Sequence, residues 1–435
     1  MFPRLLPAIF AACCLTLTAA AAQRLPDPRA DLRSFLGQAL TAICTPDALS
    51  SQELAWRLGG AFLIDERVFE ARGRRVRWQR RYQLLSGDEL AIMRLGPGGR
   101  LRRLSLELYS VASDGRPRPE AMALAGGNCR IVSGAKLHHD AEGRQESLER
   151  WGPDLEPTGV TEPLNPPMPA GPPTPPEAVR VALFDSGLNY ALPAVAARLA
   201  YDADGRALGF DFWERDARPF DAHPVASPFL PLRHGTPVAS LILREAPEAF
   251  VVPFRYPRPD MGRMTDMVAA AEAAGALIVS MPMGSNRRAD WSAFAEAAAV
   301  QPEILFVVSA GNNGRDIDEA PVFPAALPLE NLLVVTSSDD AGRLARGSNW
   351  GPRSVDLMVP AEGLAVMDFS GAEGRGSGSS YAVPRVAALA ARLLARHPDW
   401  RAAELKAAIL ERAMQPPGAS KGLVKSGWLP SPQSD

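Results

Sequence analysis

The sequence has almost no surplus charge of either sign: 47 lysines and arginines stand against 49 aspartates and glutamates. Chains that hold a nucleic-acid backbone usually carry a marked basic excess, so this balance weighs against that class of partner. Cysteine is scarce too, at four in 435 residues. Cys13 and Cys14 fall in an apolar N-terminal stretch, which leaves Cys44 and Cys129. These two read equally as a disulfide formed in an oxidising compartment or as two buried thiols. Beyond the N-terminus no stretch is apolar enough to span a membrane, which takes ~20 residues, and no solenoid-length repeat recurs. The Gly-x-Ser-x-Gly elbow followed by Asp and then His is absent, which excludes an α/β-hydrolase arrangement.

What is present is ordinary for a globular protein, with 46% apolar and 22% charged residues. The length suggests two domains, because single domains cluster near ~100–200 residues. Residues 1–22 read as a signal peptide: Arg4 supplies the charge, Leu5 to Leu17 the apolar stretch, and Ala19 to Ala22 an A-x-A site with cleavage before Gln23. Phe10 is a poor residue three before Cys13, so ordinary cleavage is expected over lipid attachment. The expected destination is secreted or periplasmic.

The clearest boundary is Pro163 to Pro176, where eight of fourteen residues are proline. Such a run cannot pair into a sheet and favours an extended, semi-rigid linker. It divides an N-terminal domain, residues 23–160, from a second domain over 177–415, with 161–176 as linker and 416–435 as a tail. The N-terminal part opens with a helical pattern through Leu32, Phe35, Leu36, Leu40 and Ile43. After Val76 it alternates: Leu104, Leu106 and Leu108 share one face, while Ser105, Glu107 and Tyr109 share the other, as in a half-buried strand. Turns are expected at Ser86-Gly87-Asp88 and at Gly96-Pro97-Gly98-Gly99. The whole reads as a small α+β unit with an antiparallel meander. His138 and His139 have no acidic or cysteine partner at ligand spacing and read as a solvated strand end.

The second domain alternates short apolar runs with helical segments. Strands are expected at Val179–Phe184, Phe250–Phe254, Ala276–Met281, Ile304–Val308 and Leu332–Val335, and helices at Met264–Ala274, Trp291–Ala299 and Tyr381–Arg396. Continuously apolar strands with crossover helices imply an α/β fold, a parallel sheet covered by helices on both faces. Active sites in such folds form at the carboxyl ends of the strands.

Four segments carry chemistry. Val-Ala-Leu-Phe-Asp185-Ser-Gly puts an acid directly after a strand. Arg-His234-Gly-Thr-Pro-Val-Ala-Ser puts a histidine at the start of an apolar helix. Ser-Ala-Gly-Asn312-Asn-Gly follows another strand, and Gly-Ser-Gly-Ser-Ser380-Tyr-Ala-Val-Pro puts a serine at a glycine-rich turn that opens a helix. Acyl transfer at neutral pH needs these types: a hydroxyl nucleophile, an imidazole to take its proton, an anion to orient the imidazole, and donors for the oxyanion. Each segment alone is commonly structural; their joint occurrence in this order carries the reading.

These segments resemble the subtilisin-like serine proteases. Asp185-Ser-Gly matches that family's aspartate motif, His234-Gly-Thr-Pro-Val-Ala its histidine motif, and Gly378-Ser-Ser380-Tyr-Ala-Val-Pro384 its serine motif. Asn312 stands in the matching Ala-Gly-Asn segment, and Val279-Ser-Met-Pro-Met-Gly284 looks like the substrate-binding strand. The resemblance spans about residues 177–415. It implies a serine endopeptidase with Asp185, His234 and Ser380 as triad, Asn312 at the oxyanion, and Ser280, Met283 and Gly284 at the substrate. No cofactor is implied, and polypeptides are the expected partners. Ser379 replaces the usual threonine and keeps the hydroxyl; Arg385 and Ala388 stand where histidine and glycine are common. Pro282 replaces a serine in the substrate strand and retains its carbonyl as an acceptor. The acidic insertion Asp211-Phe-Trp-Glu-Arg-Asp216 through Asp221 reads as a solvated loop, with calcium as the alternative. A non-cleaving peptide-binding protein is the rival function. Residues 23–160 read either as a removable inhibitory or folding segment or as a permanent accessory domain.

Overall fold

In the computed structural model, residues 25–432 are described, apart from 46, 72–73, 97–99, 113–114, 224–226 and 431. The expected signal peptide, and the Pro97–Gly99 part of the second turn, lie outside the described residues. The chain forms two compact units. One runs up to Leu137 and includes Glu149–Val160; the other joins His138–Leu148 to Thr161 and everything after it.

The first unit opens with helices α1 (Leu32–Ile43) and α2 (Ser51–Arg57). Asp31 caps α1 by accepting from the Ser34 N–H, and Ser50 with Glu53 forms a capping box on α2. Strands β1 (Phe62–Ala71), β2 (Arg74–Gln83), β3 (Glu89–Leu95), β4 (Arg103–Val111), β5 (Pro117–Gly126) and β6 (Ile131–His139) follow as an antiparallel meander. Strands β7 (Gln145–Trp151) and β8 (Pro157–Pro163) complete the order. The meander therefore begins at Phe62, before Val76. The expected half-buried β4 is covered on both faces: Ser105 and Glu107 are buried along with the leucines. The Glu107 carboxylate accepts the Tyr109 hydroxyl at 2.8 Å, which gives the enclosed charge a partner. His138 and His139 end β6, half-buried. Cys44, just after α1, is bonded to Cys129 of the β5–β6 turn. The open choice between bridge and thiols resolves to the bridge.

The second unit holds β9 (Arg180–Asp185), α3 (Pro193–Ala196), β10 (Phe210–Asp211), α4 (Gly235–Glu245), β11 (Phe250–Arg255), α5 (Met264–Ala273), β12 (Ile278–Met281) and α6 (Ser292–Ala299). It continues with β13 (Leu305–Ser309), β14 (Leu332–Ser338), β15 (Leu357–Pro360), β16 (Leu364–Met367), β17 (Glu373–Gly376), α7 (Ser379–Arg396), α8 (Ala402–Glu411) and β18 (Gly427–Trp428). Eight strands pair in the order β10-β11-β9-β12-β13-β14-β15-β18, all parallel. Alternate residues feed two cores. Val181, Leu183, Val307 and Val335 face α4, α7 and α8; Ala182, Phe184, Val308 and Val334 face α5 and α6. Two buried faces explain why each strand reads as an unbroken apolar run. Truncating one of these buried side chains, such as Leu183 to alanine, costs on the order of 2–5 kcal/mol.

The proline run does not stand free. Gly171 donates to the Gly205 carbonyl at 3.0 Å, and Thr174 Oγ1 accepts from the Tyr201 N–H at 2.8 Å. Tyr190 donates its hydroxyl to the Pro166 carbonyl at 2.7 Å. The prolines cannot donate, but the residues between them and their carbonyls can still bond, so the segment lies along the second unit instead of spanning open solvent.

Candidate active site

Sheet order reverses around β9, whose neighbours are β11 and β12. A cleft at the carboxyl ends of parallel strands is expected at such a point. Asp185 ends β9, Pro282 and Met283 follow β12, and Asn312 follows β13. His234 is the N-cap of α4, and Ser380 is the second residue of α7. The two helices pack on each other and on the same face of the sheet. Arg385 of α7 and Glu245 of α4, whose side chains are only 4% and 6% exposed, pair at 3.1 Å, and Arg385 also donates to the Pro360 carbonyl at 2.6 Å. A buried pair across these helices fixes the element carrying His234 relative to the one carrying Ser380.

Two glycines allow the motif backbones to meet. A Cβ on Gly235 would lie 1.9 Å from the Gly187 carbonyl oxygen, so the loop after Asp185 and the start of α4 pack backbone to backbone. Gly378 has φ +111°, and a Cβ there would lie 2.9 Å from Asn312 Oδ1. Only glycine serves at that turn. Within α7, Pro384 lacks the N–H that would otherwise bond the Ser380 carbonyl four residues earlier.

Asp185 is 3% exposed and holds the His234 ring through both oxygens, with Nδ1 at 2.7 and 2.9 Å. Its Oδ1 also accepts the Ser186 N–H at 2.6 Å. Burial pulls the His234 pKa down, but the Asp185 charge, its hydrogen bond and the Asp221 charge outweigh that, so the net shift is upward. Nδ1 is thereby fixed as the protonated nitrogen, leaving Nε2 as the free base.

Asp221 was missed as part of this site. The insertion expected to be solvated buries Asp211 and Asp221 completely, at 0% exposure. Asp211 pairs with Arg255 at 2.7 Å. Asp221 accepts from Ser186 Oγ at 2.6 Å, from the Thr236 N–H at 2.8 Å and from the His234 N–H at 3.2 Å. The His234 and Thr236 N–H groups are orphan donors at the start of α4, and an anion there is also favoured by the helix dipole. Hydropathy assigns acids to water, and thirteen residues separate Asp221 from His234, so no local spacing rule connects them. Among the described residues no group of three or more His, Cys, Asp or Glu side chains is arranged to hold a metal ion.

Asn312 Oδ1 accepts two bonds from Ser379, from its N–H at 2.9 Å and its hydroxyl at 3.0 Å. Ser309 Oγ lies 2.7 Å from Ser379 Oγ and accepts the Gly311 N–H at 3.1 Å. With both donors on Oδ1, the Asn312 amide nitrogen is turned away from Ser379. Ser380 Oγ donates to the Pro282 carbonyl at 3.4 Å. Among the described residues no hydrogen bond joins that hydroxyl to the His234 ring; catalytic hydrogen bonds often tighten only with substrate present.

A cleft of about 380 Å³ brings Asp185, His234, Asn312, Ser380, Met283 and Gly284 together. Ser280 is not among its lining residues: it is fully buried within β12, its Oγ without a partner among the described residues. Period-two alternation turns Ser280 into the sheet, while the chain leaving β12 carries Met283 and Gly284 into the cleft.

A profile described as the Subtilase family matches residues 177–427. Subtilisin-like protease 1 of Trichophyton verrucosum is 36% identical over 101 residues, 23% of this chain and 24% of that protein. Alkaline serine exoprotease A of Vibrio alginolyticus is 30% identical over 144 residues, 33% of this chain and 26% of that protein. The chain thus spans about a quarter of the length of these curated relatives. Among solved structures, a lanthipeptide protease aligns at TM-score 0.49 with 20% identity, covering 59% of this chain and 87% of that one. A cold-adapted subtilisin-like serine proteinase aligns at TM-score 0.46 with 22% identity, covering 58% and 88%.

Proposed function

The chain belongs to the subtilase family, and on that premise we propose that it is a serine endopeptidase acting on polypeptides. The observation that carries the reading is the two-oxygen hold of Asp185 on His234 Nδ1, at 2.7 and 2.9 Å, in the same cleft as Ser380 and Asn312. His234 Nε2 takes the Ser380 proton as Oγ bonds to the substrate carbonyl carbon. Asp185 stabilises the imidazolium that results. The Asn312 amide, with the Ser380 N–H at the start of α7, receives the developing oxyanion. The C–N bond breaks as His234 returns the proton to the departing amine, leaving an acyl-Ser380. Water then repeats the sequence, with His234 again as base, and frees the acid. The chemistry uses side chains and backbone alone, with no cofactor. Met283 and Gly284 are the proposed substrate contacts.

Residues 1–22 are the proposed leader and direct the chain to the secreted or periplasmic side. Residues 23–160 form the proposed N-terminal domain, either a removable inhibitory or folding segment or a permanent accessory domain, with 161–176 the linker, 177–415 the peptidase domain and 416–435 the tail. Among the described residues no helix is long and apolar enough to cross a membrane. Hydrolysis of an unfolded polypeptide by the wild type, lost in Ser380→Ala, is the expected test result. Equal hydrolysis by both removes Ser380 from the mechanism.

A further inference from the structure

Among the described residues four Asp, His or Arg side chains line the cleft: Asp185, His223, His234 and Arg258. Three are accounted for. Asp185 and His234 bind each other. His223 is buried, with Nε2 against the Tyr256 hydroxyl, and burial together with nearby Arg255 and Arg258 pulls it down to about 4, so it is neutral at pH 7. Arg258 remains.

Its surroundings set it apart from its neighbour. Arg255, three residues earlier, pairs with Asp211 at 2.7 Å, with Glu214 at 4.0 Å. Among the described residues no carboxylate pairs with Arg258, and Asp260, two residues on, faces Arg215 at 4.0 Å. Arg258 is half-buried, with its guanidinium 5.9 Å from the Tyr256 ring centroid. Pro257 and Pro259 on either side restrict its backbone, so little chain entropy is lost when it engages a ligand. The side chain is thus a fork of donors on a restricted backbone, with no carboxylate partner among the described residues, at the edge of the cleft.

We propose that the cleft selects polypeptides bearing a carboxylate side chain close to the scissile bond, and that Arg258 is the residue that reads it. This rests on the peptidase reading above and adds its substrate class. A guanidinium matches a carboxylate with two parallel, charge-assisted bonds, which a neutral amide of the same shape cannot equal. Met261 and Leu232, which also line the cleft, supply apolar walls beside the charge. Among the described residues no other lysine or arginine lines the cleft, so the preference depends on one side chain.

The test uses matched peptides in which one glutamate or one glutamine is moved through the positions flanking the scissile bond. The full-length wild type is expected to cleave one glutamate peptide about tenfold better in kcat/KM than its glutamine twin. The preference should shrink as salt is raised. Arg258→Gln is expected to abolish the preference, and Arg258→Glu to favour a lysine peptide over the glutamate one. Binding of the same peptides to Ser380→Ala separates this inference from the hydrolytic mechanism. A glutamate preference in that binding supports the inference even if no peptide is cut, an outcome that would instead overturn the peptidase reading. Equal cleavage and equal binding of the two series, or a preference that survives Arg258→Gln, overturns the inference.

Discussion

Ser379 holds Asn312 twice, through its backbone N–H at 2.9 Å and its hydroxyl at 3.0 Å. Serine in place of the more usual threonine therefore keeps the atom that matters, because the hydroxyl fixes which way the amide faces. Ser379→Thr is expected to retain turnover. Ser379→Ala removes one of two bonds and should lower kcat about tenfold with little change in KM. Asn312→Ala should cost roughly 10²–10³ in kcat with the fold intact, since in the proposed mechanism its amide is the oxyanion donor. Steady-state kinetics on a small chromogenic peptide separates the three variants, and unchanged kcat in Asn312→Ala takes that residue out of the site.

The upward shift of His234 fixes two pH dependences of opposite sense. The folded pKa lies above the ordinary 6.5, so the stability contributed by the Asp185–His234 ion pair is present below 6.5 and is lost as pH rises through the raised value. Activity needs the neutral imidazole and rises over the same interval. The acid limb of kcat/KM is therefore expected to have its midpoint above 6.5. Asp221→Asn removes a negative charge that supports the imidazolium, and should move that limb to lower pH. A limb that stays in place means Asp221 does not act on His234 electrostatically.

The Arg385–Glu245 pair predicts a stability effect remote from the cleft. Both side chains are buried, so Glu245→Ala removes the carboxylate that pairs with a buried guanidinium, at a cost of about 3–5 kcal/mol. Replacing both residues by apolar ones of similar volume should recover most of that loss. Chemical denaturation of the single and double variants measures the difference, and an additive double variant would show that the two residues do not interact.

The Cys44–Cys129 bridge closes a separation of 85 residues, which corresponds to a stabilisation of about 4–5 kcal/mol by loop entropy. Reductant, or Cys129→Ser, should lower the melting temperature of the protein. Identical melting curves with and without reductant contradict a bridge in the native protein.

The fold was legible because its signal is local. Continuously apolar runs such as Ile278–Met281 and Leu305–Ser309 are buried on both sides, and the chemistry-bearing motifs stand next to them in the chain. Helix α7 was legible to within two residues at its start and to the residue at Arg396. Strand β1 escaped because its Phe62–Glu70 stretch is exposed throughout and mixes Asp65, Glu66 and Arg67 with its apolar residues. The residues of the proposed triad and amide stand in motifs, while the shell behind them does not. Asp221 comes from an acidic stretch and becomes a buried helix cap; Ser309 reaches Asn312 through Ser379, across 70 residues of sequence. Ser280 failed in the other direction, since a motif names a segment and not which of its side chains faces the cleft. Arg258 carried no motif at all and emerged only from the cleft lining.

The central claim, that Ser380 is a nucleophile activated by His234 and Asp185, is tested most directly by reaction with a fluorophosphonate probe. The wild type is expected to gain one phosphonyl group, located on Ser380 by mass spectrometry, while Ser380→Ala and His234→Ala remain unmodified. A wild type that stays unmodified, or a Ser380→Ala variant that labels equally, would contradict the account.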